Sequence, residues 1–166
     1  MLTTAEQERL NNLLGILDSA QANYSILTNA KTVRSARDGV IQGVGPLNQM
    51  APTFLIQSER GWICAVISGQ SRLSYKKIKN RLGLKNVSLA KPDDVELVTG
   101  SQLGSVALIN PGLLTIVDSH LMAVASVYGG CGVPRHTLHI CVSDLVAVSK
   151  AQVFDFTEPK TTETDG

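Results

Sequence analysis

The sequence has little of what marks disordered, fibrous or membrane-spanning proteins. Only 17% of its 166 residues are charged and 4% are aromatic, whereas 43% are hydrophobic and the mean hydropathy is +0.10. This balance excludes a disordered or collagen-like chain, because it supplies enough apolar surface for a packed core. The most apolar stretch, residues 103–128, is interrupted by Asn110-Pro111-Gly112 and by Asp118, so no run reaches the roughly 18 residues of a membrane span. We therefore expect a soluble protein with no membrane partner.

Cysteine is also scarce. Cys64, Cys131 and Cys141 form no CxxC pair, and an odd number in a chain of this length argues against a disulfide scaffold. Residues 1–12 carry acids and amides where a secretion signal needs a basic patch followed by an apolar segment. A reducing, cytoplasmic location is the simpler interpretation.

Several motifs that bind nucleotides or carry nucleophiles are missing. Gly39, Gly43 and Gly45 do not form a phosphate-binding loop, because neither GxxxxGK[ST] nor a GxGxxG between a strand and a helix is present. No GxSxG elbow is present either, which argues against a Ser-His-Asp site. We therefore expect no bound cofactor.

A zinc site is the one metal site that the residue types suggest. Its ligands would be Cys131, His136, His139 and Cys141. On a strand over residues 136–141 the two histidines have opposite parity and face opposite sides, so we expect no metal there.

The charge is distributed unevenly along the chain. The net charge is +1, yet seven of the fifteen lysines and arginines lie between Ser71 and Lys91, where there is no acid. The rest of the chain carries eight cations and fourteen acids. A segment of charge +7 predicts contacts with a phosphate backbone, and its alternative is a solvated helix face. The candidate RNA-binding residues are Arg72, Lys76, Lys77, Lys79, Arg81 and Lys85.

Asp118 stands alone in apolar surroundings. It is the only carboxylate between Glu96 and Arg135. Such a residue either caps a turn at a strand end, which requires a backbone partner, or belongs to a functional site. The sequence leaves both interpretations open.

Two segments give the clearest secondary-structure signals. Residues 53–58 and 62–68 are rich in aromatic and β-branched residues and are separated by a three-residue turn, which predicts a β-hairpin. Ser74 is placed to begin a helix that Gly83 ends, and this helix carries most of the basic segment.

Weaker signals complete the prediction. We expect a short helix capped by Thr32, a strand over residues 105–109 and a turn over residues 129–132. Residues 1–156 are predicted to form one domain, followed by a polar tail over residues 157–166 with no core to join. The irregular alternation of short strands and helices predicts an α/β fold with a mixed, partly closed β-sheet surrounded by short helices.

Most of the chain resembles a known family. From about residue 27 to residue 156, the order of several phrases is similar to that of the YbaK-like, prolyl-tRNA-editing-domain family of aminoacyl-tRNA deacylases. The phrases are KTVRSA (31–36), TFLIQSERGWICAVISG (53–69), SRLSYKKIKNRLGLKNVSLAKPDDVELVTG (71–100), GSV (104–106), TIVDSHL (115–121), SVYGGCG (126–132) and VSDLVAVSKAQVFDF (142–156).

The resemblance implies both an activity and a site. It implies a pocket that hydrolyses the ester at the 3′ end of a mischarged tRNA, which makes tRNA the partner. Aminoacyl esters are already activated, so backbone donors together with a placed water or the ribose 2′-OH suffice without a side-chain nucleophile. Carried over by position, the site comprises Gly104, Ser105, Val106, Asp118, Gly130 and Gly132.

One position departs from the family pattern in a way that bears on function. The family has a lysine before the first hairpin strand, where this chain has Pro52, which offers neither a charge nor an N–H. Family members also tend to have proline where this chain has Ala107 and Leu108. Lys31, near a predicted helix start, is a candidate substitute cation, and its other interpretation is an exposed cap residue. The alternative is a non-catalytic module that binds tRNA or its aminoacyl end.

Overall fold

The computed structural model describes residues 1–160, which fold into five α-helices and ten strands. The helices are α1 (Thr4–Ser19), α2 (Ala36–Ile41), α3 (Tyr75–Leu82), α4 (Pro92–Thr99) and α5 (Val142–Ser149). The strands are β1 (Tyr24–Thr28), β2 (Thr53–Ser58), β3 (Gly61–Val66), β4 (Ser71–Leu73), β5 (Val87–Leu89), β6 (Leu114–Asp118), β7 (Ser126–Gly130), β8 (His136–Cys141), β9 (Gln152–Phe154) and β10 (Thr157–Pro159). Two short 3-10 helices span Leu47–Gln49 and Ser119–Ala123.

The strands of residues 1–160 form three sheets. The largest has the order β5-β2-β3-β6-β9, in which β6 runs parallel to β3 and β9 and the other pairs are antiparallel. An antiparallel sheet has the order β1-β8-β7, and β4 pairs with β10. The predicted α/β class with a mixed sheet is confirmed.

The large sheet is buried on both faces. Val66 and Val117 pack with the leucines of α1 and with β7 and β8, whereas their neighbours Ala65 and Ile116 pack on the opposite face with Ile78 of α3. This alternation follows from the two-residue period of a strand. Each large aliphatic side chain buried in this way stabilises the fold by about 1.5–3 kcal/mol.

The clearest signals in the sequence correspond to the observed elements. The predicted hairpin is β2–β3, with Leu55 opposite Cys64. The Ser74 hydroxyl accepts a hydrogen bond from the Lys77 N–H at the start of α3, and Gly83 ends that helix with φ of +66°. Both ends of α3 are therefore encoded locally.

Three weaker expectations need correction. Residues 105–109 form no strand but a buried loop, and α2 begins at Ala36 with Ser35 as its cap, three residues after Thr32. Residues 129 and 130 end β7, so only the second half of the predicted turn over residues 129–132 lies outside a strand.

The start of the predicted tail also folds. Thr157–Pro159 pair with β4, and Thr157 is buried. The remainder of the predicted tail, residues 161–166, lies outside the described residues. Among residues 1–160, no helix has both the length and the apolar run that crossing a bilayer requires.

Candidate active site

A cavity of about 530 Å³ lies where the three sheets and the start of α2 meet. Its size falls within the range of small-molecule sites. Five segments supply most of the wall: residues 33–36, 50–54, 103–106, 128–130 and 133–137. Residues 71–73, Tyr75 and Leu89 bring the basic segment to its edge.

Four of the predicted site residues meet in this cavity. Gly104, Ser105, Val106 and Gly130 all line it, although they lie 24 residues apart in sequence or more. The first three belong to the first loop (residues 104–109), and Gly130 ends β7 where the second loop (residues 130–132) begins. The loops are joined by hydrogen bonds from the Leu108 N–H to the Gly130 carbonyl, at 2.9 Å, and from the Gly132 N–H to the Ser105 carbonyl, at 3.0 Å.

Gly132 lies behind the cavity wall and does not line it. Its carbonyl accepts hydrogen bonds from the Arg9 Nε at 3.0 Å and from the Ser101 hydroxyl at 3.1 Å. Its φ of +90° is one that glycine adopts at little cost. The observed contacts of Gly132 therefore support the loop.

Two backbone N–H groups of the first loop make no hydrogen bond within residues 1–160. The Ser105 N–H donates to the Gln102 carbonyl, but the N–H groups of Gly104 and Val106 have no acceptor among residues 1–160. Val106 is only 5% exposed, so its free N–H is mostly shielded from bulk water. Free backbone donors in a partly dry site are groups that can stabilise an oxyanion.

Pro52, which stands at the position of the family lysine, lines the cavity. Its carbonyl accepts from the Ile67 N–H at 3.1 Å. Beside it, the Thr53 hydroxyl is buried and makes no hydrogen bond within residues 1–160. A buried hydroxyl without a partner calls for an explanation, and a bound polar ligand provides one. Lys31, the suggested substitute cation, does not line the cavity.

His136 is a cavity residue that the sequence analysis considered only as a metal ligand. Its Nδ1 lies 2.8 Å from the Pro134 carbonyl oxygen. Because a carbonyl oxygen only accepts, Nδ1 carries a hydrogen, and in the neutral ring Nε2 is then a hydrogen-bond acceptor. Nε2 has no partner among residues 1–160. The sequence did not place this histidine in a cavity, because its position depends on how β8 meets the other sheets.

Asp118 does not line the cavity. It is fully buried, accepts from the Thr157 hydroxyl at 2.7 Å, and contacts the His120 Nδ1 at 2.9 Å. Its carboxylate also accepts from the His120 N–H at 3.4 Å, which begins the second 3-10 helix. Of the two interpretations that the sequence left open, these contacts favour the turn cap.

The four candidate zinc ligands do not gather into one group within residues 1–160. The His139 ring stacks on Tyr128 with centroids 4.1 Å apart, and its Nε2 contacts the Ser126 hydroxyl at 2.8 Å. A different trio, Asp118, His120 and Asp155, has ligand atoms within 4.8 Å of one another. Their mutual contacts and the Lys77–Asp155 ion pair already account for this proximity.

The basic segment is partly neutralised by acids from elsewhere in the chain. Arg72 pairs with Glu158 at 3.1 Å, and Lys77 pairs with Asp155 at 3.0 Å while also donating to the Thr157 carbonyl. The other four candidate RNA-binding residues form no ion pair within residues 1–160. They are Lys76, Lys79, Arg81 and Lys85.

Two acidic side chains show the effect of these contacts on their pKa. A hydrogen bond from Lys77 holds the pKa of the Asp155 carboxyl below its usual range. Glu59 accepts from the backbone N–H groups of Lys85 and Asn86, which lowers the pKa of its carboxyl. Both carboxylates are therefore held in the charged form beside the basic segment.

Comparison with known proteins agrees with this architecture. The sequence model of the aminoacyl-tRNA editing domain matches residues 29–148. The proline–tRNA ligase of Fervidobacterium nodosum is 26% identical over 94 residues, which are 57% of this chain and 16% of the ligase. The chain thus matches about a sixth of the length of that relative.

Two crystal structures share the fold over nearly the whole chain. A hypothetical protein has a TM-score of 0.81 at 25% identity, covering 88% of this chain and 99% of its own. A candidate trans-editing enzyme for prolyl tRNA synthetase has a TM-score of 0.81 at 22% identity, covering 95% of this chain and 99% of its own.

Proposed function

Since the chain belongs to the aminoacyl-tRNA editing domain family, we propose that it is an aminoacyl-tRNA deacylase, which hydrolyses the ester of mischarged tRNA in trans. The similarity to a candidate trans-editing enzyme for prolyl tRNA synthetase supports this assignment. The proposal makes the 3′ aminoacyl end of tRNA the partner and the cytoplasm the place of action, and it requires no metal or cofactor.

The observation that carries the proposal is the meeting of the two loops at one cavity. Water attacks the ester carbonyl carbon, and the carbonyl oxygen becomes an oxyanion in the tetrahedral intermediate. The free N–H groups of Gly104 and Val106 are the donors we assign to that oxyanion. The bond from the carbonyl carbon to the ribose oxygen then breaks, and the ribose oxygen takes up a proton. Such preorganised donors contribute most when they are shielded from water.

None of the three cysteines lines the cavity, so no thiol is placed to act as the nucleophile. Cys64 is fully buried in the large sheet, and burial raises the pKa of its thiol to about 11, so it stays protonated at neutral pH. Neither Cys131 nor Cys141 lines the cavity. Because an aminoacyl ester is already activated and needs no side-chain nucleophile, we assign the attack to water. His136, whose Nε2 is free to accept, is the candidate base for the proton that this water loses.

The basic segment supports tRNA as the partner. Arg72 lines the cavity and also belongs to the segment, so the candidate phosphate-binding surface continues into the candidate site. The proposal assigns contacts with the tRNA backbone to Lys76, Lys79, Arg81 and Lys85. Arg72 and Lys77, the remaining cations of the predicted set, are already paired with Glu158 and Asp155.

The test is single-turnover deacylation of alanyl-, cysteinyl- and seryl-tRNA beside an enzyme-free control. We expect the wild type to exceed the background for at least one substrate. His136→Gln should lower that rate by about 10²-fold or more, the usual contribution of a general base. His139→Gln is the matched control, since it removes a histidine of β8 that does not line the cavity. Background rates for every substrate would contradict the deacylase assignment, whereas an unaffected His136→Gln would contradict only the base.

Pro52 supports a second candidate function, a module that binds the aminoacyl end without hydrolysing it. Proline at this position removes the cation that the family places there. Pro52→Lys separates the two functions. A dormant pocket should gain hydrolysis from the restored lysine, whereas an active pocket that works without the lysine should keep or lose its rate. Tight tRNA binding with no hydrolysis by the wild type, followed by gain in Pro52→Lys, would establish the binding module.

A further inference from the structure

We propose that Arg34 and Arg135 form the anion site of this cavity and bind the 5′-phosphate of the 3′-terminal adenosine, in place of the cation that Pro52 cannot supply. This inference rests on the proposed function, because it assumes a nucleotide in the cavity. Neither residue is among the site residues that the resemblance implied, although Arg34 lies within the KTVRSA phrase (31–36).

The first support is the charge of the cavity wall. Four cationic side chains line it, and among the lining residues there is no aspartate or glutamate. The four are Arg34, Arg72, Arg135 and Lys160. A concave surface with one sign of charge concentrates ligands of the opposite sign. The ligand that fits this wall is therefore an anion with an apolar or aromatic body.

The second support is that two of the three arginines lining the cavity form no ion pair within residues 1–160. Arg72 is already paired with Glu158. Neither Arg34 nor Arg135 lies within ion-pair distance of a carboxylate of residues 1–160. Asp38 accepts from the Arg34 backbone N–H at 3.0 Å, and the Arg34 charge also helps to lower the pKa of the Asp38 carboxyl, although the two side chains are too far apart for an ion pair. A guanidinium group that forms no ion pair can bind phosphate oxygens through two parallel hydrogen bonds.

Arg135 is held in place for such a role. Its carbonyl accepts from the Asn29 N–H at 2.7 Å, and its Nε donates back to the Asn29 carbonyl at 3.3 Å. The Asn29 amide in turn donates to the buried Thr137 hydroxyl at 2.8 Å. These bonds occupy Nε and leave the two terminal nitrogens of Arg135 for a ligand.

The backbone at Arg135 is unusual for an arginine. Its φ is +64°, a left-handed conformation that costs a residue with a side chain about 1 kcal/mol or more. Such conformations persist where the surroundings enforce them, and here Asn29 does so from a neighbouring strand end. Glycine would remove the cost but would also remove the guanidinium group.

Arg34 lines the same cavity next to Gly104. A Cβ atom at Gly104 would lie 3.4 Å from the Arg34 carbonyl oxygen and 3.5 Å from its Cα, so the backbones of these residues pack directly on each other. The Arg34 backbone therefore lies beside the loop whose free N–H groups are assigned to the ester carbonyl.

The experiment compares adenosine 5′-monophosphate with adenosine, two probes that differ only in the phosphate. Binding to the full chain is measured by calorimetry or NMR titration for the wild type, Arg34→Gln, Arg135→Gln and Arg135→Lys. We expect the wild type to prefer the monophosphate by about tenfold or more, as charge-assisted hydrogen bonds predict. Each glutamine variant should lose most of that preference. Arg135→Lys should retain part of it, because lysine keeps the positive charge but lacks the paired N–H donors of the guanidinium group.

Lys150→Gln is the matched control. Lys150 also has a left-handed φ, +54°, and loses one positive charge on substitution, but it does not line the cavity. It should keep the wild-type preference for the monophosphate. Far-ultraviolet circular dichroism of each variant establishes that a lost preference does not reflect unfolding.

Two results would overturn the anion site. One is that the wild type binds both probes equally or neither of them. The other is that folded Arg34→Gln and Arg135→Gln both keep the wild-type preference. Because the binding readout needs no hydrolysis, the anion site can hold while the deacylase assignment fails, and the reverse outcome is equally visible.

Discussion

The carbonyl oxygen of Val106 occupies the space that a side chain at Gly130 would need, so the two loops of the candidate site touch backbone to backbone. We predict that Gly130→Ala forces them apart and weakens the hydrogen bond from the Leu108 N–H to the Gly130 carbonyl. Overpacking of this kind costs about 1–3 kcal/mol of stability. Single-turnover deacylation should fall by about 10²-fold or more, because a displaced oxyanion donor loses most of its effect.

Gly15→Ala is the control for this substitution. Gly15 lies in the middle of α1, and a Cβ atom there would meet no atom within 4 Å. Alanine should therefore stabilise the helix by about 0.5–1 kcal/mol and leave deacylation unchanged. Equal deacylation rates for Gly130→Ala and Gly15→Ala would refute the close packing of the loops as a requirement for activity.

Asp118 should be more important to stability than to chemistry. Asp118→Ala leaves the buried Thr157 hydroxyl without its acceptor and removes the cap of the second 3-10 helix. A buried polar group left without a partner costs about 1–3 kcal/mol, which urea denaturation at pH 7 would measure. We expect the deacylation rate of the folded variant to stay within about threefold of the wild type, a change of less than about 0.7 kcal/mol in the barrier, since Asp118 does not line the cavity. A rate loss of several hundredfold without a loss of stability would restore Asp118 to the catalytic set.

The hydrogen bond between Thr157 and Asp118 illustrates how far the sequence predicts the fold. The β2–β3 hairpin and both ends of α3 follow from local signals, namely β-branched runs, a serine cap and a glycine stop. The burial of Thr157 does not, because it depends on an acceptor 39 residues away. A polar segment at the end of a sequence looks like a tail until its tertiary partner is known.

The candidate site was predictable to a similar extent. The resemblance indicated Gly104, Ser105, Val106 and Gly130, all of which line one cavity. Residues 105–109 were predicted to form a strand because they are mostly apolar and include β-branched residues. Their backbone instead forms hydrogen bonds with residues 130–132, and the Leu108 N–H donates to the Gly130 carbonyl. Arg135 escaped notice because its conformation is imposed by Asn29, 106 residues away. Long-range hydrogen bonds of this kind leave no local pattern in a sequence.

Acid should destabilise the fold through carboxylates whose pKa values are lowered in the folded state. The backbone N–H of Arg34 and the Gln42 amide lower the pKa of Asp38, and the ammonium group of Lys77 lowers that of Asp155. A carboxylate with a depressed folded pKa stabilises the protein above its unfolded pKa of about 4, and this stabilisation is lost as the pH falls through the folded pKa. Thermal unfolding should therefore shift to lower temperature below about pH 4.

Asp155→Asn tests the contribution of one group. The variant should have a lower melting temperature than the wild type at pH 7 and a smaller decrease between pH 5 and pH 3. Glu8→Gln, on the exposed side of α1, is the matched loss of one negative charge and should keep the wild-type decrease. A pH profile for Asp155→Asn that parallels that of the wild type would show that the Lys77–Asp155 pair contributes nothing to acid sensitivity.

The contacts of the basic segment decide which lysines should bind RNA. Lys77 is bound by Asp155 and by the Thr157 carbonyl, so its ammonium group holds β10 against α3. Lys76 and Lys79 have no such partners within residues 1–160. Lys76→Gln combined with Lys79→Gln should weaken tRNA binding and reduce the slope of log affinity against log salt by about 1.5, since each phosphate contact contributes about 0.7–0.9.

Two control variants make this test specific. Arg60→Gln combined with Lys150→Gln removes the same charge outside the set of candidate RNA-binding residues and should leave the salt slope unchanged, which separates local contacts from total charge. Lys77→Gln should lower the melting temperature while changing the slope little, because its charge is already neutralised by Asp155. If Lys77→Gln reduces the slope as much as the Lys76/Lys79 double variant does, RNA must break the Lys77–Asp155 pair. The interface would then include the β4–β10 edge as well as the outer side of α3.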